Sequence, residues 1–219
     1  MCGIFGIAGP NYEDSRRRLQ ALSQKKRGPD GFGEFVDPNR PIYLAHNRLA
    51  IVDLSEHGAQ PMCNEDRSVW ITYNGEIYGF DRLRAELQAK GHAFVSLSDT
   101  EVIVHAYEEW GSNCVHHLNG MFAFAIWDRK KSQVFLARDR SGVKPLFYGM
   151  FGQTLAFASD SRALSGLSFV QRRIHGGALA TFLLHNYVSG TQSIWQGIKK
   201  LSPAHHATYN LETGKLTIE

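Results

Sequence analysis

The chain lacks most of the features that would send it to a membrane, a nucleic acid or the cell exterior. No basic stretch followed by an apolar core stands at its N-terminus, so no signal peptide is expected, and the longest strongly apolar run, Met121 to Trp127, is far too short to span a bilayer. Cysteine is scarce and odd in number: Cys2, Cys63 and Cys114, with no CxxC spacing. That leaves no disulfide framework or cysteine metal knot and implies reduced thiols in the cytoplasm. A net charge of +3 is too slight for a nucleic-acid surface, so Arg16-Arg17-Arg18 and Lys25-Lys26-Arg27 read as a solvated helix and its exit. The histidines give no metal spacing. His116-His117 and His205-His206 are adjacent pairs, and His46, His57 and His92 stand without partners. Neither GxGxxG nor a P-loop nor a Ser/His/Asp signature occurs, and there are no repeats or linkers.

What is present is an ordinary globular chain of 219 residues, 43% hydrophobic and 21% charged, enough for a sizeable core in one domain. A first strand covers Ile4 to Ile7, and a helix is expected from Asn11 to Lys26. Gly33–Val36 and Ile42–Ala45 read as paired strands. Leu49, Ile51 and Leu54 suggest a buried extended segment, and Val69–Tyr73 a strand ended by Asn74-Gly75. Helices follow at Asp81–Lys90 and Thr100–Trp110, the latter capped by Ser98 or Asp99. From Gly120 the period changes to two, with hairpins Met121–Trp127/Gln133–Ala137 and Leu146–Met150/Thr154–Ala158. Short helices at Ser159–Leu164 and Gly176–His185 precede a last hairpin, His206–Tyr209/Lys215–Ile218. Many antiparallel strands with segregated helices make an α+β fold, two sheet layers with helices outside.

A few polar points interrupt this apolar pattern. Removal of Met1 would leave Cys2 with a thiol and a free α-amine on one residue. A thiol of pKa about 8.5 is mostly protonated at neutral pH, whereas an α-amine of pKa about 7.7–8.0 is partly a free base, so one residue can supply nucleophile and base. Alternatively, Cys2 is a small apolar residue in an edge strand. Arg48, between His46 and an apolar run, is either a carboxylate fork or one half of an ion pair with Asp53. Asn74 with the Gly75 N–H can converge on an oxyanion, or the pair is simply a turn. Asp99 caps a helix or holds an ammonium group. Gly28-Pro29-Asp30-Gly31 lines a pocket or turns the chain.

Seven blocks in order, MCGIFGIAG, RGPDG, HNRLAIVDLSEHGAQPM, YNGEIY, SDTEVIVHAYEEWG, LNGMFAFAIWD and RDRSGVKPLFYG, together resemble class II glutamine amidotransferase domains, the N-terminal-nucleophile hydrolases. The likeness is strongest to the glutaminase half of asparagine synthetases and covers residues 1–219 as a single domain. It implies a four-layer αββα sandwich and hydrolysis of L-glutamine to glutamate and ammonia through a Cys2 thioester. It further implies Arg48 on the α-carboxylate, Glu76 and Asp99 on the α-ammonium, Ile51 against the substrate, and Asn74 with Gly75 as oxyanion hole. No cofactor or metal is expected in this domain. ATP and Mg²⁺ would belong to a synthetase domain C-terminal to residue 219, which is absent here and is the expected partner, with aspartate as default ammonia acceptor. A homodimer is left open. An amidotransferase for another acceptor, or a non-catalytic glutamine-binding module, are the competing expectations. Lys26 stands where the family often has His before RGPD, Gly79 where Asn often follows NGEIY, Ser141 replaces a Leu, and Ser202–His205 replaces a Pro-Pro-Gly-His run.

Overall fold

Period-two patterning dominates the chain, and the computed structural model, which describes residues 1–219, resolves it into two antiparallel sheets. In order, the elements are β1 (Gly3–Ala8), α1 (Arg17–Leu22), β2 (Gly31–Val36), β3 (Ile42–Arg48), β4 (Met62–Cys63) and β5 (Val69–Ile77). Then come α2 (Phe80–Ala89), α3 (Asp99–Trp110), α4 (Cys114–His117), β6 (Gly120–Asp128), β7 (Gln133–Arg138), β8 (Phe147–Phe151) and β9 (Thr154–Ala158). The chain finishes with α5 (Ser161–Ser165), α6 (Gly176–His185), β10 (Lys199–Lys200), β11 (His206–Asn210) and β12 (Lys215–Ile218). One sheet runs β10-β8-β9-β1-β3-β2 and the other β12-β11-β7-β6-β5-β4.

Side-chain size along β6 shows how the layers are built. Phe122, Phe124 and Ile126 point outward into a core shared with Val102, Ile103 and Tyr107 of α3. Ala123, Ala125 and Trp127 point inward against Ile4, Leu44 and Phe157 of the other sheet. The small inward alanines let the sheets approach, and Trp127 fills the gap, its indole N–H donating to the buried Asp37 carboxylate at 2.9 Å. Gly6 makes room within the first sheet: its cross-strand neighbour Phe157 lays its ring over it, and a Cβ there would lie 2.2 Å from that ring. The outer face of the first sheet packs Phe5, Tyr43 and Ala45 against Ala21 of α1 and Ala163 and Leu164 of α5. The resulting order is helices, sheet, sheet, helices, the expected αββα sandwich.

Three sequence expectations need correction. The helix expected over Asn11–Lys26 shrinks to Arg17–Leu22, because Asp14 folds back to accept the Arg16 N–H and the Ser168 N–H and so anchors a turn to the loop after α5. The segment of Leu49, Ile51 and Leu54 is not buried and extended. β3 ends at Arg48, and Ile51 and Leu54 are 68% and 76% exposed in the loop that follows. Asn74-Gly75 neither ends a strand nor turns, since β5 runs through it in register with β6, Asn74 opposite Ala123 and Gly75 opposite Phe122. One departure from the family pattern is explained: Gly79 precedes α2 at φ +64°, a conformation that Gly and Asn both tolerate.

At α3, Ser98 rather than Asp99 is the cap, its Oγ accepting the Thr100 N–H at 3.1 Å. Asp99 is thereby freed to point inward. Glu101 ties down the preceding loop by accepting the Val95 and Ser96 N–H groups at 2.8 Å each. His92, without a partner in the sequence, meets His105 and Glu108 on this outer helical layer, with Glu108 2.8 Å from His105 Nδ1. Burial pushes the His105 imidazole down, but bonds to Glu101 and Glu108 outweigh it and raise its pKa to about 9. His105 is therefore an imidazolium clamped between two carboxylates at neutral pH.

Candidate active site

The N-terminus is held by short bonds from the loops around it. Arg27 Nε donates to the Cys2 carbonyl at 3.1 Å, and the Leu49 N–H donates to Cys2 Sγ at 3.3 Å. Asp30 accepts the Ala50 N–H at 2.9 Å, while its own N–H donates to the Arg48 carbonyl at 2.9 Å. Gly28 lies so close to Asn47 that a Cβ would fall 2.2 Å from its carbonyl oxygen. The Gly-Pro-Asp-Gly loop does not line the cavity; it bends the chain into β2 at Asp30. It braces Cys2 and the loop after β3 from behind.

Cys2 and Arg48 stand side by side at one end of the first sheet, where β1 pairs with β3. With Met1 in place, burial pushes the Cys2 thiol up, and the Leu49 N–H, the Met1 α-ammonium and the nearby cations Lys144 and Arg48 pull it back only in part. Sγ makes contacts only with the Leu49 backbone, so no side-chain base is hydrogen-bonded to it. The Arg48 guanidinium donates to the carbonyls of Ser55 (2.8 Å) and Asp53 and makes no ion pair with a carboxylate. The Asp53 carboxylate, its expected partner, is occupied by Ser55 N–H and O–H at 2.8 and 2.6 Å and by the Leu97 N–H. Arg48 therefore has no carboxylate hydrogen-bonded to it, although the nearby Asp53 carboxylate feels its charge.

The second sheet contributes the facing wall. Asn74 is 1% exposed, yet its Nδ2 donates to nothing. A buried amide N–H without an acceptor costs on the order of 1–3 kcal/mol, so its retention points to a ligand oxygen. At Gly75 a Cβ would lie 2.4 Å from the Met121 carbonyl and 2.5 Å from the Tyr73 ring, so only glycine fits. Asp99 Oδ2 accepts from Tyr73 Oη at 2.8 Å and the Ile77 N–H at 2.9 Å. Burial pushes its carboxyl up, those two bonds oppose it, and neighbouring Glu76 adds to the rise. An arriving ammonium group would reverse that effect.

All these residues open on one cavity of about 110 Å³. Cys2, Arg48, Asn74, Gly75, Glu76 and Asp99 line it, and Ile51 joins them from the exposed loop at its mouth, where Met1 also lies. Cys63 sits in β4 and Cys114 in the outer core, away from the cavity. Among the further lining residues, Gln60, Tyr73 and Lys144 were not singled out in the sequence, and His46 was noted there only as a histidine without partners. Gln60 accepts the Tyr73 N–H at 2.7 Å and donates to Thr100 at 3.1 Å, tying β5 to α3. Burial lowers the His46 pKa to about 4; its Nε2 faces the Tyr73 carbonyl at 3.0 Å and Nδ1 has no partner. A lone Gln or His in a polar stretch carries no spacing signal, which is why neither stood out.

Comparison with known proteins gives consistent results. A family described as a glutamine amidotransferase domain matches residues 1–218. A protein named asparagine synthetase [glutamine-hydrolyzing] 3 from Bacillus subtilis (strain 168) is 40% identical over 223 residues, covering 96% of this chain and 35% of that protein. A probable asparagine synthetase [glutamine-hydrolyzing] from Dictyostelium discoideum is 42% identical over 170 residues, 75% of this chain and 30% of that protein. The chain spans about a third of the length of the curated relatives it matches. Among solved structures, the glutamine phosphoribosylpyrophosphate amidotransferase from B. subtilis superposes over 100% of this chain and 49% of its own with a TM-score of 0.67 at 20% identity, a likeness of fold.

Proposed function

Because the chain belongs to the glutamine amidotransferase family, we propose that it hydrolyses L-glutamine to L-glutamate and ammonia with Cys2 as nucleophile. Removal of Met1 frees the Cys2 α-amine. That amine takes the thiol proton, and the sulfur attacks the side-chain carboxamide carbon. Asn74 Nδ2 and the Gly75 N–H hold the oxyanion, the protonated amine gives its proton to the departing nitrogen, and ammonia leaves a thioester. Water, deprotonated by the same amine, then releases glutamate and restores the thiol. Arg48 binds the α-carboxylate, Glu76 and Asp99 the α-ammonium, and Ile51 closes against the substrate from the mouth.

The observation that carries this reading is one small cavity that sets Arg48, with no carboxylate within ion-pair distance, and the carboxylates Glu76 and Asp99 around a thiol and an unpartnered buried amide, its third carboxylate, Asp53, being engaged by Ser55 and Leu97. A zwitterionic amino acid with a terminal carboxamide complements all of them at once. Replacing Arg48 with alanine is expected to raise the KM for glutamine about 10- to 100-fold, the worth of a charge-assisted pair, and to change kcat only a few-fold. Initial rates of glutamate release against glutamine concentration measure it. An unchanged KM removes Arg48 from substrate recognition.

The ammonia is proposed to serve an ATP-dependent amidation, aspartate to asparagine by default, carried out by a synthetase region like the additional length of the relatives. ATP and Mg²⁺ would be held there and not by residues of this domain. No helix is long and apolar enough to cross a membrane. The cysteines are all free thiols, which supports a reducing, cytoplasmic setting.

A further inference from the structure

The RDRSGVKP stretch belongs to the family-like blocks, yet nothing in the reaction above uses it. Structurally, it is a frame built around one side chain. Asp139, 1% exposed, accepts backbone N–H groups from Phe122, Ser141, Val143 and Lys144 at 2.9–3.2 Å. Arg138 donates to the carbonyls of Lys144 (2.8 Å), Gly142 (2.6 Å) and Leu201 (2.5 Å). Gly142 takes φ +64°, and a Cβ there would lie 3.1 Å from the Arg138 guanidinium, so glycine is required for the loop to close. A buried carboxylate, a half-buried guanidinium and a glycine at positive φ thus fix the backbone of Lys144.

Lys144 is 7% exposed, its Nζ makes no hydrogen bond and no ion pair, and it lines the cavity that holds Cys2. Its stem is buried, but the Nζ itself is not fully enclosed and opens on the cavity. The other charged or titratable groups around Cys2 are Arg27 on its carbonyl, Arg48, His46, Tyr73, Asp53, Glu76 and Asp99. His46 is neutral and Tyr73 is a phenol. Asp53 is occupied by Ser55 and Leu97. With glutamine bound, Arg48 meets the substrate carboxylate, and Glu76 and Asp99 meet its ammonium. Lys144 is then the cavity cation that the substrate leaves uncompensated.

We propose that Lys144 is a positioning residue for Cys2: its ammonium disfavours the doubly protonated form, thiol plus α-ammonium, so that near neutral pH the freed residue holds the single proton that sulfur and amine exchange during the reaction. A nearby like charge lowers the pKa of an amine, and an opposite charge lowers that of a thiol, so both effects act in the productive direction. The inference rests on the reading of Cys2 as nucleophile.

The test is the rate of Cys2 alkylation by iodoacetamide from pH 5.5 to 9.5, read on the Cys2 peptide by mass spectrometry, in the processed protein and in Lys144→Met, Lys144→Gln and Lys144→Arg. Removing the charge is expected to move the alkylation midpoint upward by about 0.5–1 pH unit, and the acid limb of kcat/KM for glutamine in the same direction. Lys144→Arg, which keeps the charge, should hold both midpoints near wild type. Unmoved midpoints in the two neutral variants overturn the proposal, as does loss of fold in both by circular dichroism, which would make Lys144 a structural cation. Alkylation needs no turnover. A protein that hydrolyses no glutamine but shows the shifted midpoint overturns the glutaminase reading and leaves the Lys144 effect standing.

Discussion

Cys2→Ala is expected to reduce glutamate release by about 10⁴-fold or more, because it removes the atom that becomes covalently bound while leaving substrate recognition in place. Glutamine binding should persist, since Arg48, Glu76 and Asp99 make their contacts without the sulfur. Stability should change little: Cys2 is only half-buried, and its Sγ contacts are confined to the Leu49 backbone. Cys2→Ser separates the two roles, retaining the α-amine but substituting a hydroxyl that ionises far less readily than a thiol. Its rate is expected to lie close to that of the alanine variant, which would assign the loss to nucleophilicity. Coupled detection of glutamate, with circular dichroism as a folding control, measures both. More than a tenth of wild-type activity in Cys2→Ala would mean that the chemistry resides elsewhere.

The second large effect belongs to Asn74. Its Nδ2 is buried with no acceptor, an arrangement that weakens the resting protein and is relieved only when an oxygen arrives. Asn74→Ala should therefore lower kcat by about 10²–10³-fold, the usual consequence of losing one oxyanion donor, with KM changed only a few-fold. The same substitution should leave thermal stability equal or slightly higher, because the discarded amide was unsatisfied. That opposite movement of rate and stability marks a functional group. A drop in melting temperature with kcat preserved would instead make Asn74 a structural residue of β5.

Much of the fold is legible where local pattern and tertiary environment agree. In MFAFAIW the alternation of large and small residues reports two environments, a helical layer on one side and a second sheet on the other, and β6 follows it. The apolar stripe of Thr100–Trp110 likewise gives α3 almost to the residue. Legibility fails where apolar or turn-forming residues are used for something other than burial or turning. Ile51 and Leu54 look like core but lie exposed after β3, Ile51 at the cavity mouth. Asn74-Gly75 looks like a hairpin turn, but β6 pairs along its whole length and keeps the backbone extended. From the residues alone the candidate site was legible only as separate points, since composition cannot bring Cys2, Asn74 and Asp99 together; it was the resemblance to amidotransferase domains that grouped them. Lys144 was not legible, because nothing local distinguishes a buried lysine from a solvated one; the frame of Asp139 and Arg138 does.

The central claim is that processing exposes a single residue whose sulfur breaks the glutamine side-chain amide with its own nitrogen as base. An electrophilic glutamine analogue, a chloroketone in place of the carboxamide, tests it most directly when followed by peptide mass spectrometry of the labelled protein. The account predicts one adduct, on the Cys2 sulfur, in chains that begin at Cys2, and protection by excess glutamine. Labelling of Cys63 or Cys114, or of Cys2 in chains that still carry Met1, would contradict it.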